Sequence, residues 1–396
     1  MPIKGFLPQF LSLAILSGAT LGMSKLVTTL YAMELGASSS QIGLIHAAEA
    51  LGMVLLTLPA GVLIDRLGSG RLYWLASLLP AALHVAILCW SNWLWLLALR
   101  LLVGVCVPFR SVAMSTLFLQ RLPTLGLDKA GWFRAALMAG MLWVGPWLGA
   151  GLYQHIGSPA MLAVALCFVA MALWGGHLWR QQQDQEPEQA PAAEDQPSQP
   201  RRPLAALRAV WRHTTVRSCC LAEWLSSSTG SLVATFSLVL CVEQLHWTPT
   251  EAVQLITGQG LVTVLFLFGL SRHVRNIAAP RVYGLALLAA CSALCLLGTA
   301  STFASLASAM LLLSAAGSSV HLANLGRLSA VTLDKGGVSG VFSLSQTLGM
   351  LCGSLYGGLL AGWLTLRQLF PVSAAMLLAT AALVWLATRR SARSKS

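Results

Sequence analysis

The chain has 396 residues, of which 56% are hydrophobic and only 10% charged. A soluble domain carries roughly 25% charged residues, so this chain cannot shield its apolar surface from water and reads as a polytopic membrane protein. The net charge of +12 is not a nucleic-acid signature, because the basic residues fall mostly in loops on one side of the apolar runs.

In chain order, about 12 runs are long enough to cross a bilayer. They cover residues 7–32, 41–64, 72–91, 94–119, 130–154 and 158–179, then 215–241, 250–271, 281–300, 303–326, 337–363 and 368–388. No cleavable signal peptide is expected, since Met1 to Gly5 leads straight into the first run. Several runs exceed the roughly 20 residues needed, so tilt is expected.

Basic residues set the orientation. Lys4, Arg66, Arg71, Arg121, Lys129, Arg180, Arg201, Arg272, Arg281, Arg327, Lys335 and Arg389 lie on one side, and only Arg367 on the other. Both termini are therefore expected in the cytoplasm, with the chain in an inner or plasma membrane.

The segment 181–212 reads as a cytoplasmic linker, rich in Gln, Pro and acidic residues up to Pro203. It divides an N-terminal set of six spans (1–180) from a C-terminal set (213–390), with a basic tail at 391–396. Leu204–His213 reads either as a short surface helix or as more linker.

The halves look like repeats. Leu16, Ser17, Thr20 and Glu34 match Leu225, Ser226, Thr229 and Glu243 at one offset. Gly145 and Gly149 match Gly353 and Gly357 at another. The expected fold is an all-α membrane protein with two pseudo-symmetric six-helix bundles. The nine cysteines lie in or beside apolar runs without metal-ligand spacing, so no metal is expected.

Three motifs stand out. Between spans 2 and 3 lies Gly61-Val-Leu63-Ile-Asp65-Arg66-Leu-Gly68-Ser-Gly-Arg71, a charged turn at the mouth of a membrane helix. Span 4 carries Arg100 followed by Gly104 one turn on, and an arginine there must face protein or a wet cavity. Span 5 carries Gly145-Pro146-Trp-Leu-Gly149, where proline bends a helix and glycine permits close packing.

Together with the two sets of six spans, these motifs resemble the major facilitator superfamily over nearly the whole chain. The resemblance implies two bundles rocking about a central site near the midplane. It implies a latch at the charged turn, with Asp65 against the N-terminus of span 11 near Gly336 and Gly337, Arg66 and Arg71 tying the loop down, and Gly61 letting spans pack. The basic pair usual after Gly68 is missing, and the second half has no counterpart of Asp65. The span 5 element resembles that of proton-coupled exporters, although Met141 replaces an expected upstream glycine.

Of 13 acidic residues, only Glu49 and Glu223 fall inside the spans; the others lie in the linker or at the two faces, Glu251 at the outer one. A buried carboxylate is costly and readily takes up a proton. Glu49 has His46 on its helical face and Lys25 and Arg100 at similar depth, so it reads either as a proton carrier or as a structural ion pair. Glu223 reads as a proton or substrate group, or as a partner of Arg217. His321 titrates near neutral pH when unperturbed and reads as a coupling residue or a hydrogen-bonded structural one. His84 reads as structural. In the resembling family spans 1, 4, 7 and 10 line the cavity, which makes Lys25, Arg110, Trp224 and Asn324 cavity candidates. Trp143 and Trp147 are further candidates to face substrate. The excess of cations there points to an anionic or zwitterionic substrate.

No ATP-binding loop and no catalytic constellation are recognisable, so no enzyme activity and no cofactor are expected beyond a proton gradient. The expected partners are the lipid bilayer and a small-molecule substrate, with no nucleic acid, and the expected state is a monomer. Import of a nutrient, organic acid or metal chelate is the alternative to export.

Overall fold

The computed structural model describes residues 5–125, 132–183, 211, 213–269, 274, 277–331 and 335–393. The helices are α1 (Phe6–Glu34), α2 (Ser39–Leu67), α3 (Ser69–Ile87), α4 (Trp93–Leu125), α5 (Trp132–Ile156) and α6 (Ala160–Gln183). The second half contributes α7 (Thr214–Gln244), α8 (Pro249–Gly269), α9 (Ala279–Thr299), α10 (Phe303–Ser329), α11 (Lys335–Ala361) and α12 (Leu366–Arg393).

Eleven of these are long and apolar enough to cross a membrane. The remaining one, α8, is apolar over the shorter stretch Glu251–Leu267. α6 runs three residues past the expected start of the linker, to Gln183. The linker itself, residues 184–210, and the predicted surface helix upstream of Trp211 lie outside the described residues.

Burial is inverted relative to a water-soluble protein. Arg100 and Arg110 are the largest fully buried side chains, while Trp147, Leu166 and Leu173 are about two-thirds exposed. A helix presenting leucine outward and arginine inward is at its lowest energy only where the outside is hydrocarbon. The chain is a multi-pass membrane protein.

The two halves repeat one packing plan. α1 lies along α5, α2 along α4, and α3 along both α4 and α6. In the second half α7 lies along α11, α8 along α10, and α9 along both α10 and α12. Glycine explains the closest of these contacts. A Cβ on Gly145 would stand 2.3 Å from the carbonyl oxygen of Ala19, and one on Gly353 would stand 2.1 Å from that of Ser228. These are equivalent positions in the repeat, so the weak glycine match between the halves reflects one structural requirement met twice.

The halves meet through α2 on α11 and α5 on α8. At the first of these, Gly43 and Gly358 cross with almost no space, a Cβ on Gly43 falling 2.5 Å from the α-carbon of Gly358. Ser39 also donates to Glu243 across the gap at 3.2 Å. This crossing lies at the membrane face opposite the chain termini. Near it, Tyr153 of α5 donates to Glu34, the repeat counterpart of Glu243.

Ahead of Pro146, the proline expected to bend span 5, α5 passes through a π turn, Gly140–Val144. Proline lacks the amide that would bond the carbonyl of Leu142, and a π turn accommodates the loss. That carbonyl is placed against α8, 1.7 Å from where a Cβ on Gly260 would be.

Candidate functional site

A cavity of about 1190 Å3 separates the bundles. Its deep wall is formed by Lys25, Thr29, His46 and Glu49. From there it extends past Glu223 and His321 to Arg134, Arg327, Ala279 and Pro280, near the face that carries the termini.

The deep cluster is built on α4. Arg100 and Gly104 lie one turn apart on one face. Gly104 lets α4 close onto α2 so tightly that a Cβ there would meet the carbonyl oxygen of Glu49 at 2.0 Å. Arg100 then pairs with the Glu49 side chain and donates from Nη1 to Ser24 Oγ at 2.6 Å. Ser24 in turn lies 2.8 Å from His84 Nε2, and His84 Nδ1 lies 2.7 Å from the carbonyl of Pro80. With Arg100 donating to Ser24, the serine hydroxyl is free to donate to His84 Nε2, and Nδ1–H donates to Pro80. That assigns His84 as a neutral imidazole with a structural task.

His46 was expected beside Glu49, and it does line the same wall. Its hydrogen bond goes instead to Thr29, at 2.9 Å. Thr29 donates to the carbonyl of Lys25, so His46 Nε2–H is the donor to Thr29. Lys25 makes no ion pair within 4.0 Å among the described residues, although its charge is within electrostatic reach of Glu49.

The second cluster lies toward the terminal face. Glu223 accepts from His321 Nδ1 and from Asn324 Nδ2, each at 2.8 Å. Asn324 Oδ1 accepts from the Tyr283 hydroxyl at 2.7 Å, and the Tyr283 oxygen accepts from Arg327 Nη1 at 3.1 Å. Every hydrogen in the chain Arg327–Tyr283–Asn324 points toward Glu223. Arg134, in the first turn of α5, faces the same space within electrostatic reach of Glu223.

Several expected positions are corrected. Glu223 pairs with His321 and Asn324, not with Arg217. Arg110 does not line the cavity: it is 2% exposed and its guanidinium sits 4.8 Å from the ring centroid of Phe168 on α6. Asn324 is fully buried behind Glu223. Trp224 is also absent from the lining; its backbone carbonyl packs against Gly349 of α11. Trp143 and Trp147 are exposed and do not line the cavity. In the span 5 motif, Pro146 does line the cavity, while Gly145 and Gly149 pack α5 on α1.

At the charged turn, Gly68 has φ +85°, a left-handed conformation that suits glycine and starts α3. Trp179 of α6 donates to Ser69 at 3.0 Å and covers Gly70, so the turn is held by its own bundle. Arg71 is exposed and makes no ion pair among the described residues. The side chains of Asp65 and Arg66, the surroundings of Gly61 and those of Gly336 and Gly337 lie outside the described residues, as does the predicted latch.

Sequence reasoning passed over Ser24, Arg134 and Tyr283. A serine or tyrosine in an apolar run carries little signal on its own. Arg134 sits just inside the start of its span and passes for a topological charge. Among the described residues no group of three or more metal-ligating side chains is present.

No curated protein matches this chain. Solved structures do. The nucleoside transporter NupG superposes with a TM-score of 0.77 at 12% identity, covering 97% of this chain and 99% of that one. A bacterial homologue of the human lysosomal transporter Spinster, in an inward-facing and unoccupied conformation, gives 0.74 at 16%, covering 98% and 97%. The human organic anion transporter MFSD10 (TETRAN) gives 0.65 at 18%, covering 96% and 99%. At these identities the likeness is one of fold. The family model described as Major Facilitator Superfamily matches residues 10–241, more than half of the chain. With its paired six-helix bundles, the cavity between them and that match, this chain belongs to the major facilitator superfamily.

Proposed function

We propose that the chain is a proton-coupled secondary transporter that exports a small anionic or zwitterionic molecule across an inner or plasma membrane by alternating access. The observation that carries this reading is the cavity between the bundles, shut at the Gly43–Gly358 crossing and reaching the other way to Arg327. The basic loops support cytoplasmic termini, which makes the present state the one open to the cytoplasm. The Gly145-Pro146 element of α5 favours export over import.

Glu223 is the proposed proton carrier. Glu49 is committed to its buried ion pair with Arg100. Glu223 faces the cavity with a histidine and an amide as partners and no guanidinium within ion-pair distance among the described residues. A substrate shifts the conformational equilibrium only by binding one state better than the other, and a proton on Glu223 supplies a second such bias. The protein is proposed to work as a monomer, without a bound cofactor.

Inside-out membrane vesicles with an imposed pH gradient test the reading. An acid interior should drive labelled organic acids or drugs into the vesicles and dissipate the gradient. Movement in the opposite sense would make the chain an importer of a nutrient, organic acid or metal chelate. Gradient-independent leakage identical to empty vesicles, across the panel, would sink the transporter reading.

A further inference from the structure

The deep cluster contains two cations for one carboxylate. Arg100 is satisfied twice over, by Glu49 and by Ser24. Lys25 is left to the cavity, with no ion pair among the described residues. An ammonium held inside a membrane protein without a counter-ion is costly, so the loaded state should bring a counter-ion with it. The lining also carries hydroxyl groups: Ser231 and Ser354 face the cavity and bond each other at 2.8 Å, and Thr235 lies one turn beyond Ser231.

Among these polar groups the lining also carries a set of methionines. Met53 of α2, Met138 and Met141 of α5 and Met350 of α11 all face the space, together with Leu26 and Leu142. Methionine is unbranched and polarizable, and it adapts to irregular apolar shapes and to ring edges. These thioethers therefore suit an apolar body, and the ammonium at the deep end suits a negative head. Resting on the transporter reading above, we infer that the substrate is an amphiphilic organic anion whose carboxylate or similar oxyanion docks on Lys25 while its apolar or aromatic body lies against Met53, Met138, Met141 and Met350.

Three probes with one body separate charge from shape: naphthalene-2-carboxylate, its neutral carboxamide, and 2-naphthylmethylammonium. Thermal unfolding of the purified full chain in detergent is measured with each. The carboxylate should raise the midpoint by on the order of a few degrees at saturation, while the amide and the ammonium should not. Lys25→Met should abolish the shift and Lys25→Arg should retain it, with size-exclusion profiles confirming that both variants fold. Double replacement Met138→Ala and Met141→Ala should weaken the carboxylate at least several-fold.

Equal stabilisation by the carboxamide, a shift that persists in Lys25→Met, or no shift with any probe overturns the inference. None of these outcomes touches the transporter reading, which is decided by gradient-driven movement in vesicles. Conversely, Lys25-dependent binding with no movement under any gradient would leave the anion site standing and remove the transport cycle.

Discussion

The carbonyl oxygen of Glu49 and the α-carbon of Gly104 lie in contact, and the side chain of the same glutamate is held by Arg100 one turn earlier on the same helix. A single helical face thus supplies both the room and the counter-charge. The arginine and the glycine are two halves of one device: without the close approach, the guanidinium would not reach the carboxylate in a desolvated setting. Gly104→Ala places a methyl 2.0 Å from the Glu49 oxygen. It should force α4 and α2 apart and cost about 1–3 kcal/mol, as overpacking does in well-packed cores. Thermal unfolding in detergent measures this, and an unchanged midpoint would contradict the packing described.

The Arg100–Glu49 pair predicts a non-additive pair of variants. Arg100→Met alone leaves a buried carboxylate and Glu49→Gln alone leaves a buried guanidinium, each on the order of 3–5 kcal/mol destabilising. The double variant removes both charges and should be milder than the sum of the two. A double-mutant cycle by thermal unfolding gives the coupling. Additive losses would mean that the pair does not act as a unit.

Glu223→Gln keeps an acceptor for His321 or for Asn324 and approximates the protonated acid. The variant should fold and bind substrate but lose proton-coupled movement. Proton flux per transported molecule in reconstituted vesicles reads this directly. Wild-type coupling in the variant would move the proton site elsewhere.

Tyr283→Phe interrupts the donor chain between Arg327 and Asn324 while keeping the ring beneath the Arg327 guanidinium. The loss should be modest, about 1 kcal/mol for one hydrogen bond. Its larger effect should fall on coupling, since Asn324 is then free to turn its oxygen toward Glu223. Matched unfolding and transport assays separate the two, and an effect on stability alone would assign Tyr283 a packing role.

Gly358→Leu should prop open the face opposite the termini, because Gly43 leaves no room for a side chain at the crossing. Spin labels at the adjoining ends of α2 and α11 should report a longer, broader distance distribution than in the unsubstituted protein. Asp65→Ala, on the charged turn, should slow transport without altering substrate preference. A changed substrate range at unchanged rate would remove the proposed latch.

Much of the frame was legible in the sequence, because bilayer thickness and the cost of an unpaired backbone leave apolar runs few alternatives. The spans and the glycine repeat followed from spacing, as did a grouping of Lys25, His46, Glu49 and Arg100, in which Glu49 read either as a proton carrier or as a structural ion pair. Helix rotation did not. Arg110 was placed in the cavity by its span number, yet nearly three turns beyond Arg100 it faces Phe168 within the bundle. Glu223 was given Arg217 as one partner because sequence shows near neighbours. Its actual partners come from α10, about 100 residues away. Tyr283 and Arg134 acquire meaning only from what stands opposite them.

The contact between Leu142 and Gly260 bears on how such a molecule moves. Along α1 and α5 the backbones interlock at Gly18, Gly22, Gly140 and Gly145, so neither helix slides past the other. Between α5 and α8, by contrast, the tightest approach is a single oxygen against a single glycine. The first arrangement is a zip and the second is a bearing. A rotation of one bundle over the other passes most easily through the bearing, and a bulkier residue at position 260 would seize it while leaving each bundle whole.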